Sequence, residues 1–384
     1  MNGFAFDTVP SIVFGSGASA RAGAIAGRFG RRAALVTDAG VVRAGLVEPA
    51  VASLREAGIA VAVHDGVVAD PPETVVTAAV EAARAHGADM VVGLGGGSSL
   101  DVAKLVALLL RSGEALADIY GVGNAKGPRL PLILAPTTAG TGSEATPISI
   151  VTTGAHEKKG VVSPVLLPDV ALLDPDLTLG LPPHVTAATG VDAMVHAIEA
   201  YTSKSPNNNP VSRALACEAL RLLGRNIRRA VHHGSDPQAR ANMLLGSLLA
   251  GQAFANSPVA AVHALAYPIG GRFGVPHGLS NALVLPAVMR FNAEICFEAY
   301  CELAPHVFPD LAGAAGRRGA DAFVEALAAL SRDVGLAPRL RDLGIPADAV
   351  PILAADAMKQ TRLLVNNPRE VTAADARAIY EAAW

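Results

Sequence analysis

Four residues carry the most specific chemistry in this sequence: Asp192, His196, His263 and His277. Asp192 and His196 are four positions apart in an Ala-rich run, a spacing that puts both side chains on one face of a helix. His263 is read near the end of a further helix that Pro268 and Gly270-Gly271 terminate, and His277 begins another after the turn Gly274-Val275-Pro276. One carboxylate and three imidazoles suit Fe²⁺ or Zn²⁺, with a coordination position left for a substrate oxygen. The bland alternative is structural: a lone helical histidine is more often a core residue than a ligand, and an Asp/His pair at this spacing can be a buried hydrogen bond. His232 and His233 lie in a polar connection, and His64, His86, His156, His184 and His306 have no partners at ligand spacing.

A second group of residues is suited to holding a diphosphate. Gly95-Gly96-Gly97-Ser98-Ser99 follows an apolar run and opens a helix, so backbone amides can approach phosphate oxygens unobstructed by Cβ atoms at a helix N-terminus. Asp101, just beyond, could cap the turn or meet substrate-side groups. The segment 136–144, with Thr137, Thr138 and Thr141, is small and rich in hydroxyls, as a loop around a cofactor would be. Asp38 ends the run Leu35-Val36-Thr37 and has two readings of equal weight. It could accept from a ribose hydroxyl and repel a 2′-phosphate, selecting NAD over NADP, or it could cap the next helix. Gly15-Ser16-Gly17 lacks the third glycine of a dinucleotide fingerprint and reads as a turn.

These residues need elements to position them. Residues 33–37, 59–64, 90–94 and 130–135 read as strands, and 41–57, 74–86 and 101–111 as helices. Such alternation predicts βαβ units and a mostly parallel sheet covered on both faces. Beyond about residue 184 the strand signal fades, and 185–201, 211–232, 237–254 and 320–334 have helical periodicity. The expected architecture is an α/β, Rossmann-like dinucleotide-binding domain over residues 1–183 and an all-helical domain over 184–384, meeting near Leu181-Pro182-Pro183-His184.

Composition narrows the partners. Across 384 residues, 31 Lys+Arg stand against 34 Asp+Glu, so no basic excess favours nucleic acid. Apolar runs such as Leu105 to Leu110 fall far short of the ~18–20 residues that a spanning helix needs, and residues 1–10 show no secretory pattern. Three cysteines without metal-ligand spacing fit a reducing cytoplasm. The expectation is a cytoplasmic enzyme.

With these motifs in view, the chain resembles the iron-containing (group III) alcohol dehydrogenases, within the wider group that includes glycerol dehydrogenase and dehydroquinate synthase. The resemblance spans nearly the whole chain. It rests on Gly95 to Lys104, Pro136 to Glu144, Leu167-Pro168-Asp169-Val170-Ala171-Leu172-Leu173-Asp174-Pro175, Gly190-Val191-Asp192-Ala193 to Tyr201, and Pro276-His277-Gly278-Leu279-Ser280-Asn281-Ala282. It implies a dehydroquinate synthase-like fold and a homodimer. It makes Asp192, His196, His263 and His277 the ligands of Fe²⁺ (or Zn²⁺), and Gly96, Gly97, Ser98, Thr137, Thr138, Thr141 and Lys159 contacts of NAD, with Asp38 at the adenosine ribose. One position departs from the family pattern. Many members carry a second histidine four residues after the third ligand, where this chain has Tyr267. A tyrosine hydroxyl can pass a proton, but with a reference pKa of ~10 it is a poorer acid–base group at neutral pH.

The activity implied is a metal-dependent, NAD(H)-linked interconversion of a small alcohol and its aldehyde or ketone. Three alternatives accompany it. A maleylacetate reductase works without metal, and the intact ligand set argues against it. A hydroxyacid–oxoacid transhydrogenase is kept open by Tyr267. A dehydroquinate-synthase-like lyase needs a basic cluster for a phosphorylated substrate, and the helical half shows none in sequence.

Overall fold

The structure, a computed structural model, describes residues 3–154 and 157–384, and His156 lies outside the described residues. The chain divides into two compact units, one of Asp7–Leu179 and one of Gly180–Trp384 with the N-terminal strip ending at Phe6. The fold is an N-terminal α/β domain with a parallel sheet and an all-helical C-terminal domain. Among the described residues no helix is long and apolar enough to cross a membrane.

The first unit carries strands β1 (Ile12–Phe14), β2 (Arg32–Asp38), β3 (Ala60–Val67), β4 (Met90–Gly95), β5 (Gly121–Val122), β6 (Leu132–Pro136), β7 (Ile148–Thr153), β8 (Glu157–Val162) and β9 (Val170–Leu173). Its helices are α1 (Ala22–Ala26), α2 (Ala39–Arg43), α3 (Glu48–Glu56), α4 (Glu73–His86) and α5 (Gly97–Ser112). Six strands form one sheet in the order β1-β9-β6-β4-β2-β3, and all its pairings are parallel. Alternate residues of the central strands enter two separate cores. Ala34, Val36, Val91, Leu132 and Leu134 face the side of α4 and α5, and Ala33, Leu35, Val92, Ile133 and Leu172 face the side of α1 and α3. Burial on both faces is why these strands read as unbroken apolar runs without polar alternation.

The expected helix over 41–57 is two helices, because Gly45 adopts a left-handed conformation (φ 73°) between α2 and α3. The helix expected from 101 starts at Gly97, so the glycines are its first turn. Strands β1 and β9 and a second, three-stranded sheet of order β5-β8-β7 were not anticipated. In that sheet β7 and β8 are antiparallel.

The second unit contains α6 (Pro183–Thr202), α7 (Pro210–His232), α8 (Pro237–Asn256), α9 (Ala261–Phe273), α10 (His277–Val307), α11 (Gly316–Asp333), α12 (Val350–Ala357), α13 (Thr361–Leu364) and α14 (Ala373–Ala383). Proline stands in the first turn of α6, α7 and α8, where its missing N–H costs nothing. Helix α6 is buried over most of its length and packs against α7, α8 and α10. One expectation is corrected here: His263 lies in the first turn of α9, not near its end. Pro268 and Gly270-Gly271 are accommodated inside that helix, which stops at Gly274, a left-handed cap with φ 65°. Proline blocks the preceding turn's hydrogen bond but need not end a helix that is packed on several sides.

Candidate active site

The metal-ligand candidates assemble within the helical unit. Asp192 and His196 project from α6, His263 from the first turn of α9 and His277 from the first residue of α10. Their ligand atoms all lie within 4.8 Å of one another. Asp192 Oδ1 is 4.0 Å from His196 Nε2 and 3.8 Å from both His263 Nε2 and His277 Nε2. Two bonds of ~2.0–2.2 Å to one ion span such separations. Gly278 makes this approach possible, since a Cβ there would stand 2.3 Å from the Ala188 carbonyl oxygen on α6.

Burial alone would push the Asp192 carboxyl upward. The imidazoles of His196, His277 and His263 and the Asn281 amide outweigh it and hold the group below its ordinary range, as an anion. A buried carboxylate ringed by three imidazole nitrogens is a donor set for a divalent cation. The cluster Asp192/His196/His263/His277 is thus a metal site consistent with iron.

Two partners were missed in the sequence. Glu199 is buried, and its carboxylate accepts from His263 Nδ1 at 2.6 Å and from the Val262 backbone N–H at 2.7 Å. That hydrogen bond puts the His263 proton on Nδ1 and leaves Nε2 as a lone-pair donor toward the cluster. Asn281 is fully buried, and its Nδ2 donates to Asp192 Oδ1 at 2.5 Å. It also lies 3.3 Å from His263 Nε2 and 3.4 Å from His277 Nε2. Both were available as spacings: Glu199 repeats the Asp192/His196 face one turn on, and Asn281 follows His277 by one turn.

Ring stacking fixes the imidazoles further. The His196 ring stacks on Phe254 with centroids 4.4 Å apart and on His263 at 4.7 Å. The Tyr267 ring stands 5.7 Å from that of His277. Asn281→Ala removes the donor to Asp192, and we expect the affinity for Zn²⁺ or Co²⁺ to fall by about 10–100-fold. Competition titration with a chromophoric chelator measures it, and an unchanged affinity would show that the amide is incidental.

The dinucleotide candidates gather within the α/β unit. The chain runs from β2 outward to β3 and returns to β4 on the other side of β2, so strand order reverses between β2 and β4. Loops at the carboxyl ends of strands around such a point form a ligand crevice. Asp38 ends β2, the glycine turn follows β4, and the threonine loop follows β6. The three touch. Thr137 N–H donates to the Gly95 carbonyl at 2.9 Å, and a Cβ on Gly97 would stand 2.7 Å from Thr141 Cγ2. No side chain caps the N-terminus of α5, an arrangement suited to receiving an anion.

Of the two readings of Asp38, the cap is observed. Its Oδ1 accepts from the N–H groups of Gly40 and Val41, while Oδ2 is 3.4 Å from Ser99 Oγ. Gly96, Gly97, Ser98, Thr138 and Thr141 remain half-buried, while Thr137 is buried. The Asp101 carboxylate is occupied by the Ser143 hydroxyl (2.6 Å) and the Ile150 N–H (2.9 Å), so it stitches α5 to the threonine loop. Lys159 is exposed on β8, its ammonium 5.9 Å from the centre of the Tyr120 ring.

Behind the threonine loop lies a buried ionisable pair that the sequence reading did not single out. Lys104 is fully buried and donates to Ile148 O (2.6 Å), Ser143 Oγ (2.8 Å) and Thr146 Oγ1 (3.3 Å). Burial lowers its pKa despite Asp101 and Glu144 nearby. Glu144 is likewise buried, its Oε1 has no hydrogen-bond partner, and burial raises its carboxyl to about 7.

Comparison with known proteins bears on both halves of the chain. Residues 10–175 match the family described as "Iron-containing alcohol dehydrogenase", and residues 186–384 match "Fe-containing alcohol dehydrogenase family, C-terminal". Long-chain-alcohol dehydrogenase 1 of Geobacillus thermodenitrificans is 44% identical over 353 residues, covering 91% of this chain and 89% of the relative. The crystal structure of a 1,3-propanediol oxidoreductase superposes with a TM-score of 0.96 at 37% identity, over the full length of both chains. Sulfoacetaldehyde reductase from Bifidobacterium kashiwanohense, solved in complex with NAD⁺, superposes with a TM-score of 0.88 at 29% identity, covering 100% of this chain and 99% of the other. Matched in this way through its sheet and its helices alike, the chain belongs to the iron-containing alcohol dehydrogenase family, oxidoreductases that act on CH–OH groups.

Proposed function

We propose that the protein interconverts small primary alcohols and their aldehydes with NAD(H), using Fe²⁺ held by Asp192, His196, His263 and His277. The observation that carries this reading is the convergence of those four ligand atoms, with Glu199 fixing the His263 tautomer. When bound, the metal supplies a Lewis acid toward the substrate oxygen, and the nicotinamide accepts or donates the hydride.

The chain's own residues do the rest. Asp192 contributes the negative charge that offsets the cation, and the imidazoles set its position. Phe254 stacks on one face of the His196 ring and holds its orientation. We assign the cofactor's diphosphate to the amides of Gly96, Gly97 and Ser98 at the start of α5, with Thr137, Thr138 and Thr141 alongside. Asp38 is assigned to the adenosine ribose, where its negative charge disfavours a 2′-phosphate and selects NAD. Asp101 acts by positioning the threonine loop. Lys159 is assigned a contact with the cofactor, as the family pattern suggests. Tyr267, beside His277, is assigned the hydroxyl that exchanges a proton with the substrate.

The relatives' names cover a long-chain alcohol, 1,3-propanediol and sulfoacetaldehyde, which supports a terminal CH–OH or aldehyde as the reacting group. The reading includes a cytoplasmic location, in keeping with three cysteines that are all free, and a homodimer.

Following NADH formation on a panel of primary alcohols tests the reading. Chelation should abolish turnover, and added Fe²⁺ or Zn²⁺ should restore it. Turnover that survives chelation would remove the metal from the mechanism, and reduction of NADP⁺ in preference to NAD⁺ would remove the role given to Asp38.

A further inference from the structure

Helix α10 borders a second concavity, of about 570 Å³, formed entirely within the helical unit. Four arginines line it: Arg290 on α10, Arg332 on α11, and Arg339 and Arg341 in the segment that follows. The lining also contains Glu381 and Trp384, with Pro338 and apolar side chains of α10, α11 and α14 completing it. Sequence reading finds no basic cluster in this half of the chain, because the arginines come together only through the packing of separate helices.

Charge is sorted by side. The stretch 332–342 contains Arg332, Asp333, Arg339, Arg341 and Asp342, yet only its arginines face the cavity. Asp333 turns away to pair with Arg228 at 2.5 Å. Glu381 is neutralised by Arg377 at 2.8 Å, and Arg290 pairs with Glu325 at 2.5 Å. Arg332, Arg339 and Arg341 have no carboxylate partner among the described residues, and the Arg341 guanidinium lies 5.6 Å from the centre of the Trp384 ring. These three guanidinium groups border one concavity and are exposed to solvent, and each can grip a phosphate or carboxylate with two parallel hydrogen bonds. The volume falls within the range of small-molecule sites.

We propose that this cavity binds a small polyanion, a metabolite carrying two or three phosphate or carboxylate groups. Arg290 follows His277 by 13 positions on α10, which is about 20 Å of helix. The site is therefore separate from the metal cluster.

Trp384 is the only tryptophan in the chain, so its fluorescence reports on this cavity alone. The metal-loaded protein is titrated with fructose 1,6-bisphosphate and, separately, with propane-1,2,3-tricarboxylate, at constant ionic strength. We expect a saturable change for at least one probe, with a Kd below about 1 mM, and a roughly tenfold or greater loss of affinity in Arg332→Gln/Arg339→Gln. Saturation by the bisphosphate alone assigns the site to phosphate esters, and saturation by the tricarboxylate alone assigns it to carboxylates. Metal content and alcohol turnover should be unchanged in the double variant. Should that variant fold poorly, Arg339→Lys keeps the charge, loses the planar fork and should weaken binding several-fold. A response that stays linear for both probes, or equal affinity in wild type and variant, overturns the proposal. Neither result depends on whether the metal centre turns over alcohols.

Discussion

His263→Ala leaves a chain that no longer retains iron and oxidises alcohols at least ~10³-fold more slowly than wild type. The size follows from the several kcal/mol that Lewis-acid polarisation supplies, at about 1.4 kcal/mol per factor of ten. The substitution also removes one of the two partners of the buried Glu199 carboxylate, the ring bonded to it at 2.6 Å, and leaves it the Val262 N–H, while Asp192 keeps His196, His277 and Asn281. Loss of a hydrogen-bond partner from a buried polar group costs about 1–3 kcal/mol, so the variant should melt earlier as well. Glu199→Gln separates the two effects: it spares all four ligands, and the expected loss is about 10–100-fold in metal affinity. Elemental analysis of metal per chain, read beside NADH formation, is the measurement. Stoichiometric metal in His263→Ala would refute the ligand assignment.

Stability that declines between about pH 5 and 8 is the second large effect, and Glu144 is its source. Its carboxyl is raised from 4.5 to about 7 by burial, so the folded chain holds this proton more tightly than the unfolded chain does. Stabilisation of that kind is complete below pH 4.5 and is lost as pH rises through 7. At about 1.4 kcal/mol per pH unit, the displacement amounts to roughly 3 kcal/mol. Above pH 7 the side chain becomes a buried anion whose Oε1 has no hydrogen-bond partner, with Lys104 as the nearby counter-charge. Denaturant unfolding of wild type and Glu144→Gln at pH 5 and pH 8 isolates Glu144 together with its neighbour Lys104, because titrating groups that do not interact with Glu144 cancel in the difference. A constant difference between the two proteins would rule Glu144 out as the cause. Since Glu144 closes the threonine loop, the same titration should loosen that loop.

Much of the fold was legible because the central strands are buried on both faces and so announce themselves as continuous apolar runs. What escaped has a physical reason in each case. β1 is three residues long with Ile12 and Phe14 partly exposed, too short and too wet to carry a pattern. β8 includes Glu157, Lys158 and Lys159, and its pairing with β7 is set by tertiary packing rather than by its own apolar content. In the metal cluster, Asp192 and His196 were legible from one helical turn, but no local rule links α6 to α9 or α10. Glu199 and Asn281 went unnoticed because a carboxylate or amide one turn from a ligand is as ordinary as any helix-face residue until a third helix brings it to an imidazole. Asp38 shows the reverse: local sequence left cap and ribose contact equally open, and the structure shows the cap with one oxygen still turned toward the glycine turn.

Half of the metal site sits on α6 and half on α9 and α10, and this division has a consequence in time. His277 follows His196 by 81 positions in the chain. At ~5–20 residues per second, a ribosome that has made the first pair needs about 4–16 s more to make the last ligand. Until His263 is made the nascent chain offers one carboxylate and one imidazole, and the third imidazole comes only with His277, 14 positions later. The four-ligand site is therefore completed late in synthesis, and metal loading that needs all four ligands follows it.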